Sequence, residues 1–134
     1  AFNRNAHKTE AENMKYVFEM FPKLKHMRKQ FASTLSGGEA RMLAIARGLM
    51  SNAQFLAIDE PTLGLAPILR VEVLNSIGEI HKRGINVLLA EQNIPQLADL
   101  ADRIYLMEEG QIVFSGNKEE ALNSQDLKEV FLGM

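Results

Sequence analysis

Two short apolar runs separated by one amphipathic helix constrain the fold of this chain more than any other feature of its sequence. The runs are Phe55–Ile58 and Ile85–Ala90, the second interrupted only by Asn86, and both are short enough for strands. Pro67 fits the first turn of the helix between them, and Gly84 suits its end. A strand, a helix and a strand in this order predict a parallel crossover, with the first strand buried on both faces. The sequence therefore predicts an α/β domain.

Apolar residues at helical spacing predict two further helices before the first strand. One spans about 9–21 and ends at Pro22, and the other runs from Gly37 to about Met50 with Ser36 as its N-cap. Between them, Lys23–Lys29 is expected to be a basic, looser stretch. Its plainer interpretation is a solvated surface.

Smaller elements are predicted after the second strand. A short helix follows Pro95, and two strands over 103–107 and 111–115 form an antiparallel hairpin. Two short helices are expected from Lys118 onward, one of them capped by Ser124. The parallel strands are therefore followed by a separate antiparallel element.

Composition and charge exclude several classes of protein. The 134 residues suffice for one domain with a sizeable core, and 46% of them are hydrophobic. The net charge of −2 lacks the basic excess of a nucleic-acid-binding protein, so no nucleic-acid partner is expected. Without cysteine, a disulfide scaffold and a thiolate metal site are excluded. The apolar runs are too short for a membrane span of about 20 residues, and a cytosolic location is expected.

The segment Leu35-Ser36-Gly37-Gly38-Glu39 is the first candidate site. One interpretation is a capping box, in which Ser36 and Glu39 satisfy each other's backbone N–H groups. A cap does not require two glycines, each of which weakens a helix by roughly 1 kcal/mol relative to alanine. Residues without side chains let an anion approach the N–H groups at the positive end of the helix dipole. The segment thus predicts phosphate recognition in addition to a cap.

Two adjacent carboxylates, Asp59 and Glu60, follow the first strand. Ligands of open α/β sheets bind at the carboxyl ends of the strands, where one acid can hold Mg²⁺ and its neighbour can deprotonate water. The alternative is that both residues merely begin a turn, and the pair alone does not decide between the two. Glu91-Gln92-Asn93 places further polar groups after the second strand, although this tripeptide alone indicates no more than a loop.

In this combination, the segments resemble the nucleotide-binding domains of ATP-binding cassette (ABC) ATPases. Leu35–Glu39 is similar to their signature motif and Phe55–Glu60 to their Walker B motif, and the separation of the two is typical of the family. The segment 62–67 then resembles the D-loop, and 91–93 resembles the H-loop. The resemblance covers essentially the whole chain and is greatest to the ATPase subunits of branched-chain amino acid importers.

The resemblance implies a P-loop NTPase-like α/β fold, in which a partial parallel sheet is flanked by helices. Residues 1–50 would be part of a helical subdomain that includes the signature motif. Residues 51–134 would be the C-terminal part of the ATPase core, with a closing β-hairpin. ATP and Mg²⁺ are the cofactors that the resemblance implies.

The resemblance also implies roles for individual residues in ATP hydrolysis. Asp59 would help hold Mg²⁺, and Glu60 would be the general base for the attacking water. Gln92 stands where most of the family has a histidine, and it would donate a hydrogen bond to phosphate without becoming cationic. Ala66 replaces the aspartate that commonly ends the D-loop.

The signature residues would act on a nucleotide held by a second nucleotide-binding domain. By resemblance, Ser36, Gly37 and Gly38, together with Glu39, would face the γ-phosphate of that nucleotide. Dimerisation of two such domains would then be part of the mechanism. Permease subunits in the membrane would be further partners, and the protein would be peripheral on the cytoplasmic face.

One family motif has no counterpart in the sequence. No segment fits the phosphate loop G-x-x-x-x-G-K-[ST], so this chain alone is expected to be inactive as an ATPase. The alternative function is a catalytically silent module that docks on a membrane subunit or on another ATPase chain. In the family, the strand before that loop lies inside the sheet, so its absence predicts a gap. The exposed strand edges are expected to promote self-association.

Overall fold

The computed structural model describes residues 7–92, 97 and 99–123. The chain divides into two compact units, Ala1–Ala90 and Glu91–Met134. The first unit contains helices α1 (His7–Met20), α2 (Pro22–His26), α3 (Gly37–Leu49) and α4 (Pro67–Lys82), a 3-10 turn (Ala32–Thr34), and strands β1 (Phe55–Asp59) and β2 (Asn86–Ala90). The second contains β3 (Ile104–Glu108), β4 (Gln111–Gly116) and α5 (Lys118–Asn123). Within the described ranges, no helix is both long and apolar enough to cross a bilayer.

The predicted long helices are confirmed, but the stretch after Pro22 is not uniformly loose. Pro22 occupies the first turn of α2, where its fixed φ suits a helix and its missing N–H costs nothing. Leu24 in this helix is buried. The basic segment therefore begins as a helical turn that is anchored by one apolar side chain.

The core of the first unit lies among its four helices. Phe21, Val73 and Ile80 are its most completely buried large side chains. Polar contacts join the same helices at the surface. Lys23 of α2 pairs with Glu72 of α4 at 2.8 Å, an exposed pair that contributes at most about 1 kcal/mol. The helices of the first unit thus pack on one another mainly through apolar side chains.

Strands β1 and β2 form the predicted parallel pair, with Phe55 opposite Asn86 and Asp59 opposite Ala90. The expectation that β1 is buried on both faces is wrong for this chain. Its side chains alternate between exposed and half-buried positions, and Phe55 is 57% exposed. The reason is that the helices cover only one face, where Leu56 lies close to Gly48 of α3.

The second unit is built on the predicted hairpin. Glu109 and Gly110 both have positive φ, 46° and 78°, as a two-residue hairpin turn with the twist of its strands requires. One face of the hairpin packs on the fully buried Ala121 of α5. The predicted helix after Pro95 lies partly on residues outside the described ranges, but the N–H of Ala101 donates to the carbonyl oxygen of Leu97 at 3.1 Å, as in one helical turn. Ser124 lies outside the described ranges.

The described strands form two separate two-stranded sheets, one made of β1 and β2 and the other of β3 and β4. The sheet gap expected from the sequence stays a prediction. The boundaries at 50 and 51 that the resemblance implies for the two subdomains stay a prediction.

Candidate functional site

The start of α3 is fixed by a reciprocal capping box between Ser36 and Glu39. The backbone N–H of Ser36 donates to Glu39 Oε2 at 2.8 Å. This hydrogen bond is the largest cause that holds the pKa of Glu39 below its ordinary value of 4.5, and a hydrogen bond from the Ser36 side chain is the second largest. The predicted cap is confirmed, and it stabilises the ionised form of Glu39.

The two glycines of the first turn have a packing role that the sequence did not reveal. A Cβ atom at Gly38 would lie 3.2 Å from both terminal carbons of Leu69, and one at Gly37 would lie 3.3 Å from Leu65 Cδ2. Both distances are shorter than ordinary contacts between carbon atoms. The glycines therefore allow α3 to approach the chain that follows β1.

Packing and anion recognition are compatible at this position. The first N–H groups of a helix have no partner within it, and the capping box satisfies those of Ser36 and Glu39. The N–H groups of Gly37 and Gly38 lie at the positive end of the helix dipole, where Gly37 is exposed and Gly38 is buried. Gly37 is therefore the accessible position for an anion at the start of α3.

The two carboxylates lie where the sequence predicts, at the carboxyl end of β1. Asp59 is exposed and in register with Ala90, the last residue of β2. The N–H of Glu60 donates to the carbonyl oxygen of Ala90 at 2.9 Å. Glu60 has a φ of 42°, which belongs to the left-handed region that few residues other than glycine adopt. The chain thus turns sharply away from the sheet at the carboxylate.

The turn after Glu60 is held by one residue in particular, Leu65. Its N–H donates to the carbonyl oxygen of Thr62 at 3.1 Å, and its own carbonyl oxygen accepts from Arg70 Nε at 2.9 Å. Its side chain is buried close to Gly37. Sequence reasoning placed Leu65 only within the D-loop segment and Leu69 only on an apolar helix face, and it assigned no role to Arg70. The available signal was that all three lie within one turn of Pro67, which starts α4.

Gln92, the remaining predicted catalytic residue, lies two residues after the end of β2. It is exposed, and its N–H donates to Oε2 of Glu91 at 3.2 Å. Asn93 lies outside the described residues. In the ranges that the structure describes, no group of three or more carboxylate and imidazole side chains is arranged to hold a metal ion. Asp59 is therefore a single candidate ligand, which suits Mg²⁺ because that ion usually keeps several waters and takes only one or two carboxylates.

Comparisons with known proteins agree with this geometry. The family model described as ABC transporter matches residues 2–63. The high-affinity branched-chain amino acid transport ATP-binding protein BraG of Pseudomonas aeruginosa is 43% identical over 120 residues, which are 90% of this chain and 52% of BraG. The chain belongs to the ABC transporter ATPase family.

Other relatives extend the same assignment. The lipopolysaccharide export system ATP-binding protein LptB of Haemophilus influenzae is 34% identical over 82% of this chain and 46% of LptB. This chain superposes on the crystal structure of the ADP conformation of an ATP-binding cassette of an ABC transporter with a TM-score of 0.74. The two sequences are 29% identical, and the superposition covers 92% of this chain and 51% of that one. The chain thus spans about half the length of the relatives it matches.

As part of an ABC ATPase, the chain brings its own signature motif and D-loop together. The glycines of the signature pack close to Leu65 of the D-loop and to Leu69 just after it. Glu60 of Walker B lies five residues before Leu65 in the same turn. One short segment therefore connects the candidate phosphate-binding and catalytic groups.

Proposed function

We propose that this chain is part of the ATP-hydrolysing subunit of an ABC transporter that powers the import of branched-chain amino acids. The observation that carries the proposal is the start of α3, where the exposed Gly37 has an N–H group without a partner in the helix and packs close to Leu65 in the turn that follows Glu60. The similarity to BraG supports the amino acid substrate, whereas the similarity to LptB, named for lipopolysaccharide export, makes import a matter for experiment.

In this proposal, Glu60 accepts the proton of the water that attacks the γ-phosphate of ATP. Glu60 suits that role because it is half-buried at the end of a strand and its backbone is anchored to Ala90. Gln92 would donate a hydrogen bond to a phosphate group, as the resemblance to the family implies. Mg²⁺ would be held with the help of Asp59, and its chemistry is to neutralise charge on the phosphate oxygens.

The signature residues serve a nucleotide held by a second nucleotide-binding domain. Ser36, Gly37 and Gly38 present the start of α3 to its γ-phosphate, and Glu39 fixes their geometry through the capping box. The phosphate loop comes from polypeptide outside these 134 residues. The assembly works with permease subunits on the cytoplasmic face of the membrane.

A chimaera tests the proposal. The half of BraG that this chain does not match is joined to the chain, and ATP turnover and leucine uptake are measured in cells that lack BraG. We expect both activities. Glu60→Gln should retain ATP binding and lower turnover by about 10²-fold or more, the usual range for a general base.

Glu79→Gln is the matched control, because it makes the same substitution at an exposed carboxylate on α4. Glu79 pairs with Lys82 and has no role in the proposed site. We expect it to leave turnover unchanged. Turnover by the Glu60→Gln chimaera at the unsubstituted rate would reject the assigned base. Hydrolysis without leucine uptake would reject the transport assignment but not the ATPase.

The alternative of a catalytically silent docking module is favoured for the isolated chain by the absence of a phosphate loop from its sequence. Calorimetric titration with Mg-ATP distinguishes the two. We expect no saturable binding at millimolar nucleotide by the chain alone. Saturable binding would mean that another surface replaces the phosphate loop.

A further inference from the structure

An open groove of about 540 Å³ lies where α1 meets α2. Its lining combines one aromatic residue and one proline with basic side chains: Phe18, Pro22, Lys25, His26, Arg28 and Lys29. None of these residues belongs to the proposed nucleotide-binding or catalytic set. The groove is therefore a separate feature that the proposed function does not use.

The positive charge of this groove is not neutralised within the described part of the chain. Lys25, Arg28 and Lys29 are exposed and form no ion pair there, whereas nearby Lys23 pairs with Glu72 at 2.8 Å. The sequence contains no acidic residue from Met20 to Gly38. Three free cations around one groove favour an anionic occupant.

The shape and the apolar lining of the groove indicate which kind of anion it accepts. An open groove with Phe18 and Pro22 in its lining can contact an apolar side chain, which free phosphate does not have. A lipid surface is broad and flat, and it would contact the cations without filling the groove. We propose that this groove binds an acidic polypeptide segment of a partner protein, with an apolar side chain seated against Phe18 and Pro22.

Selection from a random peptide library displayed on phage tests the proposal without requiring that the partner be identified first. We expect peptides enriched on the immobilised chain to carry two or more acidic residues beside a Leu, Ile, Phe or Met residue. The tightest peptide is then synthesised, and its affinity is measured by fluorescence anisotropy. Enriched peptides without an acidic bias would overturn the proposal.

Two double variants with the same change in net charge distinguish the groove from general electrostatics. Lys25→Glu with Arg28→Glu should weaken binding of the synthesised peptide about tenfold, as expected for the loss of two exposed charge pairs. Arg41→Glu with Arg47→Glu, both exposed on α3, should change it less than about twofold. Equal weakening by the two double variants would overturn the assignment to the groove.

A third variant tests the apolar lining, and vesicles test the lipid alternative. Phe18→Ser should weaken peptide binding although it removes no charge, and its unfolding curve shows whether the fold is retained. If it does not fold, the charge variants still decide. Phosphatidylglycerol vesicles should not compete with the peptide. Vesicles that displace the peptide, with binding lost on Lys25→Glu and Arg28→Glu, would assign the groove to lipid and overturn the proposal.

Discussion

The helical part of the first unit buries large apolar side chains, whereas the strands of the same unit expose side chains of the same kind. Phe21, between α1 and α2, is 2% exposed, whereas Phe55 on β1 is 57% exposed. Ile80 of α4 is fully buried, whereas Leu88 of β2 is 58% exposed. Strands of a parallel sheet normally have helices on both faces. The difference teaches that the chain completes its helical layer by itself but leaves one face of its sheet to be covered.

The largest expected effect compares the two phenylalanines directly. Phe21→Ala removes a fully packed ring and should lower the free energy of unfolding by about 3–5 kcal/mol. Phe55→Ala removes a ring that is already mostly in water and should cost less than about 1 kcal/mol. Urea unfolding followed by circular dichroism measures both. Equal losses would mean that the outer face of the sheet is covered in solution.

A second prediction concerns the contact between α3 and α4. Gly38→Ala should change the free energy of unfolding by about 1 kcal/mol or less, because the displacement of Leu69 by the new methyl group offsets the gain of alanine over glycine in a helix. In a Leu69→Ala background the same change should be more favourable, since the space is then free. A double-mutant cycle measures this difference. Additive effects of the two substitutions would contradict the proposed contact.

The pH dependence of stability tests the cap of α3. Ionised Glu39 is stabilised in the folded state, since its pKa lies below 4.5 there. Its stabilisation should be complete above about pH 4.5 and lost as the pH falls through the folded-state pKa. Glu39→Gln should therefore lower Tm at pH 7 and have progressively less effect in acid.

The matched control for this experiment is Glu19→Gln, which removes one exposed carboxylate from α1. It should not reproduce the pH-dependent difference. A Tm difference between Glu39→Gln and the unsubstituted chain that stays constant from pH 7 to acid would show that the ionised carboxylate does not carry the stabilisation.

Substitutions on the outer face of the sheet should have the smallest effect on stability. They should instead reduce self-association of the chain. Phe55→Thr with Leu88→Thr keeps strand-favouring residues and removes exposed apolar area. We expect the unsubstituted chain to self-associate through this sheet and the double variant to do so less. Light scattering across a concentration series measures both, and a monodisperse unsubstituted monomer would contradict the expectation.

The sequence predicted the order of elements well because each has a strong local cause. Pro67 starts α4, Ser36 caps α3, and the Glu109-Gly110 turn closes the hairpin. These causes act over a few residues and can be recognised before the fold is known.

Features that depend on distant residues were not predicted. The pattern of β1 indicated burial on both faces, but burial depends on what covers the strand and not on the strand itself. The packing of Gly37 and Gly38 close to Leu65 and Leu69 joins positions nearly thirty residues apart. The local sequence favoured anion recognition as the explanation for the two glycines. Packing against a helix that is distant in sequence cannot be predicted from the local sequence.

The position of Leu65 has a consequence for motion. Its carbonyl oxygen is held by Arg70, and its side chain lies close to Gly37 at the start of α3. Packed interiors transmit displacement because they have little free space to absorb it. We therefore expect a displacement of the turn after Glu60 to reach the start of α3 through the Leu65 side chain. The loop that follows the carboxylates and the first turn of α3 would then move together.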